Sequence, residues 1–376
     1  MSQTTPRGNS RLGGSAILVN AALAAGSIIL AVVVVALVSR GGFTRKARQF
    51  HKQIVTYHKL LTSSRWPAGS YQYDEHAGFK LTPAYSGLMK DKSFHVKTHR
   101  LGYRIPEHAA PDLVEPGGIL SVGCSFTFGD RVEAEETFSH LTAGHFKVQS
   151  YNYGVCSYSY ASVIGQLEEL ENSGILGRLR PSILVLGAGD WLVERSLKPF
   201  YPTAGLQFGF PYIGKSGDRL ELQPASEYYS TKHLYRLVAD YAEDEDGAEL
   251  TLGRYLRLIS ISPRVSKANL DHRRFVMPAV SSKELYDFVL GRIIGILGKT
   301  PDTRIVVLWM PVSDAAIDAG LSESVKGLKN VLLVDGLAAL KKARVSREAY
   351  YERHPAPEAH AAYAQALIEA ITAGKR

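Results

Sequence analysis

The chain has 376 residues, of which 45% are hydrophobic and 21% charged, enough for a full core in one large or two modest domains. The net charge of +8 draws heavily on a basic cluster at 40–52, and no basic stripe interleaved with aromatic residues follows, so a nucleic acid partner is not expected. The two cysteines, Cys124 and Cys156, are too few for a disulfide scaffold and lack metal-ligand spacing, so no metal site is expected either.

The first predicted element is a transmembrane helix over residues 16–38, which follows a flexible tail at 1–15. The run carries no charge over its 23 residues. As a helix with a rise of about 1.5 Å per residue it would span roughly 35 Å, enough to cross a bilayer core. A cleaved signal peptide is the alternative, suggested by small residues at 21–27, but the run exceeds the roughly 7–15 apolar residues usual for such a signal.

The charges that flank this run predict its orientation poorly. A basic, amphipathic helix is predicted at 45–61, within a juxtamembrane linker at 39–66. Because more basic residues follow the run than precede it, the positive-inside rule places the rest of the chain in the cytoplasm. A short basic cluster can instead bind anionic headgroups, which leaves the opposite orientation open.

Residues 67–376 predict one α/β domain. Residues 67–104 suggest irregular or hairpin structure packed before the main sheet, and strands then alternate with helices, which is typical of a parallel sheet with crossover helices. The predicted strands are 118–122, 146–151, 182–187, 304–309 and 330–334, and the predicted helices are 134–143, 159–173, 283–298, 313–326 and 357–373. We therefore expect a parallel sheet of about five strands.

An insertion at about 191–280 breaks this alternation. Loops that leave the carboxyl ends of parallel strands are where such folds elaborate, so we expect the insertion at that end of the sheet. It contains a hairpin-like piece around 217–219 and helical segments near 230–242 and 251–260. Its aromatic residues form either a small satellite core or a surface that stacks on sugar rings. They are Trp191, Phe200, Tyr201, Phe208, Phe210 and Tyr212.

A serine at the end of the first predicted strand is the candidate nucleophile. Ser125 lies in the segment 123–129 (GCSFTFG), where a strand ends and a helix begins, so its hydroxyl is exposed and its N–H is free. Such a hydroxyl needs a base, and His354, in a His-Pro pair before the last helix, is the candidate. The alternatives are a helix-capping serine and a loop histidine next to a rigid proline. His360 is interpreted as a helix-face residue.

Several segments together resemble the SGNH (GDSL-type) hydrolase superfamily, in particular its membrane-anchored bacterial branch. In chain order they are 102–104 (GYR), 123–129 (GCSFTFG), 132–138 (VEAEETF), 152–155 (NYGV), 187–190 (GAGD) and the late His-Pro at 354–355. The resemblance covers about residues 70–192 and 304–372. It implies a flavodoxin-like three-layer sandwich, the SGNH hydrolase fold, in which Gly102 and Arg104 are structural.

The resemblance also implies an oxyanion hole. Its donors would be the backbone N–H groups of Ser125 and Gly154 and a side chain at position 189. The family carries Asn there, whereas this chain has Gly189, and losing one such donor typically costs about 10²- to 10³-fold in rate. The neighbouring Asp190 matches the motif and is interpreted as a helix N-cap, with recruitment to the site as the alternative.

Two further positions depart from the family pattern. Cys124 replaces the Asp of the Gly-Asp-Ser motif. The acid that orients the histidine is usually two or three residues before it, where this chain has Glu352 and Tyr351, so Glu352 is the candidate, with a Ser-His dyad as the alternative. The implied fold brings the loops after the first two strands together, so Cys124 and Cys156 form either a disulfide or two buried thiols.

These features predict a serine-dependent esterase or O-acyltransferase that forms an acyl-serine at Ser125 and needs no cofactor. The resemblance implies O-acetyl groups on a cell-envelope polysaccharide as substrate, and an extracytoplasmic domain anchored through residues 16–38. The alternatives are an SGNH-like binding or assembly module with an impaired site, and a lipid esterase.

Overall fold

A computed structural model describes most of the chain beyond the first fifty residues. The described residues are 51–52, 55, 69–89, 93–203, 206–224, 275–298, 302–312, 314, 316–350 and 354–374. The chain divides into two units, residues 1–56 and 57–376, and the three described residues of the first unit are helical. Within these ranges no helix is both long and apolar enough to span a bilayer. The predicted transmembrane helix at 16–38 lies outside the described residues.

The second unit contains fourteen described strands and nine described α-helices. The strands are β1 Tyr71–Asp74, β2 Gly78–Leu81, β3 Ser86–Leu88, β4 His95–Thr98, β5 Arg104–Ile105, β6 Ile119–Val122, β7 Ser150–Asn152, β8 Ile183–Ala188, β9 Phe200–Thr203, β10 Leu206–Gly209, β11 Tyr212–Ser216, β12 Arg219–Gln223, β13 Arg304–Trp309 and β14 Val331–Asp335. The helices are α1 Ser125–Phe128, α2 Phe138–Phe146, α3 Tyr160–Asn172, α4 Ile175–Leu179, α5 Asp190–Ser196, α6 Ser282–Leu297, α7 Ala319–Lys326, α8 Gly336–Lys342 and α9 Pro357–Ala373. Short 3₁₀ turns lie at Ala134–Glu136 and Arg347–Ala349.

An eight-stranded sheet forms the centre of this unit, in the order β14-β13-β8-β6-β7-β5-β4-β3. The first five strands of that order are parallel, and numbered along the chain they run 5-4-3-1-2, the flavodoxin-like order. Each of the five matches a predicted strand, so the α/β fold with a mostly parallel sheet is confirmed.

The predicted number of strands was wrong, because β5, β4 and β3 extend the sheet from five to eight strands. These three strands are antiparallel and come from the region predicted as irregular or hairpin structure. They have two to four residues each, too few to give a clear alternation of apolar and polar side chains. The separate hairpin of β1 and β2 matches that prediction. The consecutive antiparallel strands β3, β4 and β5 also have hairpin pairing, but they belong to the main sheet instead of packing before it.

The core lies on both sides of the parallel strands. Every residue of β6 and β8 is buried, and five of the six in β13 are. Such apolar runs are typical of strands that are covered on both faces. The helices contact one another in two groups. In one, α9 contacts α2 and α8. In the other, α3 contacts α4, α5 and α6, and α6 contacts α7, in keeping with the predicted three-layer sandwich.

Two predicted helices begin later than expected because a side chain caps them. The predicted helix 134–143 is a 3₁₀ turn followed by α2, which starts after Thr137, whose hydroxyl accepts the N–H of His140. The predicted helix 313–326 is shorter, since α7 starts after Asp318. Asp and Thr satisfy free N–H groups at helix starts, so they set these boundaries.

The described part of the insertion contains α5 and two hairpins, β9–β10 and β11–β12. The hairpin predicted around 217–219 is the second of these, while the helices predicted at 230–242 and 251–260 lie outside the described residues. Phe210 is buried and packs edge-on against Phe79 of β2, with ring centroids 5.5 Å apart. For Phe210 the satellite core is therefore the better interpretation.

Candidate active site

Ser125 lies where the buried strand β6 gives way to the four-residue helix α1. The residues on either side of it, 119–124 and 126–130, are buried, whereas Ser125 is partly exposed. The helix ends at Gly129, whose φ of +81° lies in the left-handed region that glycine adopts without strain. The chain reverses there, and the N–H of Asp130 donates to the carbonyl of Ser125 at 3.0 Å.

His354 reaches this serine from the other end of the chain. Its Nε2 lies 3.0 Å from Oγ of Ser125, although the two residues are 229 positions apart in sequence. The His354 side chain is 28% exposed, and the ring of Phe126 packs edge-on against it at 5.6 Å. The 3.0 Å between Nε2 of His354 and Oγ of Ser125 is within the range of a hydrogen bond between a nucleophile and its base. The structure thus brings together the two residues predicted as nucleophile and base.

A third side chain at this point was missed in the sequence. Oδ2 of Asp130 lies 3.2 Å from the same Nε2 of His354, and the Asp130 side chain is only 3% exposed. The predicted acid, Glu352, and its neighbour Tyr351 lie outside the described residues. The sequence held one signal for Asp130: it directly follows the glycine that ends the nucleophile motif, so a left-handed turn there returns it to the serine.

Arg104 holds the segment that carries Asp130. We call residues 128–132 the acid loop. The Arg104 guanidinium donates through Nη1 to the carbonyls of Phe128 and Gly129, at 2.7 and 2.8 Å, and through Nη2 to that of Val132 at 2.6 Å. It also donates to the carbonyl of His95 on β4, at 3.1 Å. The predicted structural role of this arginine therefore consists of tying the acid loop to the sheet.

The Arg104 guanidinium is fully buried between two aromatic rings. Its Cζ lies 5.0 Å from the ring centroid of Phe94 and 4.4 Å from that of Phe128. Burial lowers the pKa of Arg104 to about 10, so the group stays charged at neutral pH. A buried cation with four carbonyl acceptors and two aromatic faces is costly to disturb, because each lost partner leaves the charge less well solvated.

Gly154 lies against the nucleophile helix, but its N–H already has a partner. A Cβ at this position would come within 2.3 Å of the backbone nitrogen of Phe128, so no larger residue fits without movement of α1. The N–H donates to Oδ1 of Asn152 at 3.0 Å, while Nδ2 of Asn152 donates to the carbonyl of Thr127. A role for this N–H in an oxyanion hole would require it to leave or share that acceptor.

Gly189, at the position of the missing amide donor, is covered by an aromatic ring. A Cβ there would lie 2.3 to 2.7 Å from three atoms of the Trp191 indole. The same indole packs on Phe126, with ring centroids 4.8 Å apart. The backbone N–H of Gly189 donates to the hydroxyl of Tyr160 at 3.2 Å. Trp191 therefore occupies the space into which a side chain at position 189 would project.

The remaining predicted site residues have local roles. Asp190 is exposed and is the first residue of α5, with Gly189 rather than Asp190 as the N-cap, and its Oδ1 accepts the N–H of Trp191 at 2.9 Å. The N-cap interpretation was thus wrong by one position. Cys124 and Cys156 are both buried and are not joined by a disulfide, so the structure contains the second of the two alternatives left open for them, two buried thiols.

His360, interpreted as a helix-face residue, is on the buried face of α9. Its ring stacks on that of Phe138 with centroids 5.8 Å apart, and its Nδ1 accepts the N–H of Phe138 at 3.3 Å. Burial, together with the positive charge of Arg104 and the neighbouring His354, lowers the pKa of His360 to about 3. His360 is therefore neutral at physiological pH and serves as a packing residue.

Comparisons with known proteins give only distant matches. No family model matches the chain, and no curated protein matches it. Among solved structures, it is similar to a member of the lipolytic protein G-D-S-L family from Veillonella parvula, at 13% identity and a TM-score of 0.36, over 68% of this chain and 97% of that one. It is also similar to a carbohydrate esterase family 2 enzyme with a carbohydrate binding domain from Corynascus thermopiles, at 11% identity and a TM-score of 0.35, over 73% of this chain and 70% of that one.

The family resemblance rests on this chain's own residues. The motifs occur in the expected order along the sequence. The parallel strands have the flavodoxin-like order, and Ser125 and His354 meet within hydrogen-bond distance at the carboxyl end of β6. Motif order, strand order and the Ser125–His354 contact are all what the resemblance to the SGNH (GDSL-type) hydrolase superfamily predicts.

Proposed function

We propose that the protein is a serine-dependent ester hydrolase or acyltransferase. The observation that carries the proposal is the 3.0 Å contact between Oγ of Ser125 and Nε2 of His354. A serine hydroxyl is a weak nucleophile until a neighbouring base accepts its proton. Ser125 is the partly exposed residue of an otherwise buried segment, so an ester carbonyl can approach its hydroxyl from solvent.

The proposed reaction has two halves. Oγ of Ser125 attacks the ester carbonyl while its proton moves to Nε2 of His354, and the carbonyl oxygen becomes an oxyanion. The C–O bond to the leaving alcohol then breaks, and that alcohol's oxygen takes the proton from Nε2. Water or an acceptor hydroxyl attacks the acyl-serine in the same way, with His354 again as base and then acid. No metal or organic cofactor takes part.

Oxyanion stabilisation is the weak part of this site. Of the three donors that the resemblance implies, the N–H of Gly154 is bonded to Asn152 and position 189 has no side chain. Each missing donor costs about 10²- to 10³-fold in rate, so we expect slow turnover. The same observation favours a second candidate function, a binding or assembly module of an envelope polysaccharide system that has kept the fold.

The proposed substrate is an O-acetyl group on a cell-envelope polysaccharide. This rests on the family resemblance and on the predicted membrane anchor at 16–38, which would hold the catalytic unit outside the cytoplasm. A comparison of p-nitrophenyl acetate with p-nitrophenyl laurate tests the acyl length, and a preference for laurate would favour a lipid esterase. Alkaline phosphatase fused to the C-terminus tests the orientation, and an inactive fusion would contradict an extracytoplasmic domain.

A fluorophosphonate probe and p-nitrophenyl acetate test the enzyme itself. We expect the wild type to be labelled and to turn over the ester, and Ser125→Ala to do neither. The matched control is Ser121→Ala, because Ser121 lies four residues earlier in β6, is buried, and has no hydrogen-bond partner for its hydroxyl within the described part of the chain. Labelling that persists in S125A, or wild type that neither reacts nor turns over, would favour the non-catalytic module.

A further inference from the structure

We propose that Asp130 is the acid partner of His354. The acid of this site then comes from the segment that follows the nucleophile Ser125, and not from the residues just before His354. The inference rests on the proposed function, since it assigns a role within the same reaction. It identifies Asp130 as a positioning residue that acts through His354. The Glu352 assignment made from the sequence becomes the competing hypothesis.

The first argument is the environment of the carboxylate. Asp130 is 2% exposed, and its Oδ2 lies 3.2 Å from Nε2 of His354. A buried carboxylate is costly unless a charged or hydrogen-bonding partner compensates it. An imidazolium at His354 is such a partner. The contact therefore stabilises His354 most in its protonated form, which is the form that arises when Ser125 gives up its proton.

The second argument is the rigidity of the acid loop. The N–H of Asp130 donates to the carbonyl of Ser125, and Gly129 adopts the left-handed turn that brings the two residues together. Arg104 restrains the acid loop on both sides of Asp130, because its guanidinium donates to the carbonyls of Gly129 and Val132 at 2.8 and 2.6 Å. Nucleophile and acid thus form one pre-organised unit, to which the C-terminal segment adds the histidine.

The third argument concerns the proton, because Ser125 and Asp130 contact the same ring nitrogen. When the O–H bond of Ser125 breaks, the new N–H bond at Nε2 lies within reach of Asp130 Oδ2. The carboxylate stabilises this imidazolium without taking its proton, and the proton then leaves for the alcohol oxygen. An acid at Nδ1 would also hold the neutral ring in the tautomer whose Nε2 is free to accept a proton, whereas a carboxylate at Nε2 favours the opposite tautomer, so the benefit of Asp130 is confined to the imidazolium.

The arrangement predicts a characteristic loss in Asp130→Asn. An orienting acid on Nδ1 is worth about 10⁴-fold in kcat, and without the tautomer effect we expect a smaller fall of about 10²-fold with KM little changed. The acid limb of the profile of kcat/KM against pH should move to lower pH, because the neutral amide no longer favours the imidazolium. His360 also interacts electrostatically with His354, and burial keeps His360 neutral.

Glu133→Gln is the matched control. Glu133 lies three residues after Asp130, is partly exposed and accepts the N–H of His95 at 3.1 Å, so the variant removes a charge from the same stretch of chain. We expect its kcat and pH profile to follow the wild type. Equal losses in E133Q and D130N would show that charge or loop structure, rather than contact with His354, is responsible, and would overturn the inference.

Glu352→Gln tests the competing acid. The inference is overturned if E352Q shows the loss in kcat and the pH shift while D130N does not.

Failure of the proposed function looks different, because then the wild type itself is inactive. In that case the titration of the His354 ring is followed by NMR, which needs no turnover, and an unchanged midpoint in D130N would contradict the inference. Should D130N not fold, D130S is used, and we expect added formate to restore part of its rate.

Discussion

At the scale of single residues, the indole of Trp191 fills the space that a side chain at position 189 would need. The indole of Trp191 lies within 2.3 Å of where a Cβ at position 189 would be. A donor cannot be restored at 189 by one substitution, because the new side chain would collide with the ring. This explains how the chain can lack the amide donor without leaving a cavity, and it suggests a double substitution.

We predict that Gly189→Asn combined with Trp191→Ala raises kcat above that of W191A alone. The alanine removes the indole, and the asparagine supplies a side-chain amide at the position where the family carries one. One oxyanion donor is worth about 10²- to 10³-fold, so even a poorly aligned amide should give a gain of about tenfold. The measurement is p-nitrophenyl acetate turnover by wild type, both single variants and the double variant.

The single variant G189N serves as the control for this cycle. It should lose stability through the overlap with Trp191 and gain no rate. If G189N alone is as active as the double variant, Trp191 does not occupy the donor's place in solution. If the double variant matches W191A, position 189 does not face the reacting carbonyl.

Gly154 gives a second prediction at this scale. We expect Gly154→Ala to lower the free energy of unfolding by about 1–3 kcal/mol, because the added methyl would lie 2.3 Å from the backbone nitrogen of Phe128. It should also lower kcat, since α1 carries Ser125 and must move to make room. Urea denaturation and ester turnover measure the two effects.

Gly144→Ala is the matched control, because a Cβ at this exposed position in α2 would meet no atom of the other described residues within 4 Å, apart from the backbone of its own helix. We expect it to raise the free energy of unfolding by up to about 1 kcal/mol, as alanine is the better helix former. A stable and fully active G154A would show that α1 has more room than the structure gives it.

At the scale of elements, the site depends on how the acid loop is tied to the sheet. We predict that Arg104→Lys lowers both stability and kcat. A lysine ammonium keeps the charge but cannot reproduce the planar fork that reaches four carbonyls. Each buried carbonyl left without a donor costs about 1–3 kcal/mol. Thermal melting and kcat report the two losses together, because the same carbonyls position Asp130.

Arg100→Lys separates this effect from arginine loss in general. Arg100 is exposed and pairs with Asp112, and an exposed ion pair contributes at most about 1 kcal/mol. We expect R100K to melt and react like the wild type. An R104K variant that melts like the wild type would contradict the assigned role of Arg104, whatever its activity.

The elements differ in how far their sequences predicted them. The apolar runs of β6, β8 and β13 are buried on both faces, so hydrophobic pattern alone identified them. The edge strands β3, β4 and β5 have mixed burial and two to four residues, and they are set by pairing with neighbours rather than by their own pattern.

The candidate site divides in the same way. The contact of Ser125 with His354 could be predicted from motifs, since Ser125 follows the predicted strand β6 and His354 precedes the predicted helix α9. The contact of Asp130 with His354 could not be predicted in this way, because it depends on a left-handed turn at Gly129 and on four hydrogen bonds from Arg104. The hydrogen bond from Gly154 to Asn152 likewise depends on a side-chain conformation that residue types do not specify.

At the scale of the whole molecule, the site needs both ends of the α/β unit. Ser125 follows the first parallel strand, while His354 stands just before α9, which packs on α2, α8 and β14. His360 is part of that packing, with its ring against Phe138 at the start of α2. Any condition that loosens α9 should therefore separate base from nucleophile, and the ionisation of His360 is such a condition.

We predict that acid destabilises the fold partly through His360. Burial lowers its pKa from 6.5 to about 3, so between these values the unfolded chain binds a proton that the folded chain does not. The contribution of His360 is thus fully present above pH 6.5 and is lost as the pH falls towards 3, by up to about 1.4 kcal/mol for each pH unit. Urea denaturation of the wild type and His360→Gln at a series of pH values measures this slope.

The slope, rather than the absolute stability, is the quantity to compare, because H360Q also changes the packing against Phe138. Its free energy of unfolding should fall less steeply than that of the wild type below pH 6.5, and the two curves should run parallel above it. His108→Gln, at an exposed histidine, should keep the wild-type slope. Identical slopes for H360Q and wild type would mean that α9 opens and admits a proton to His360 without unfolding, and the histidine would then report local opening of the segment that carries His354.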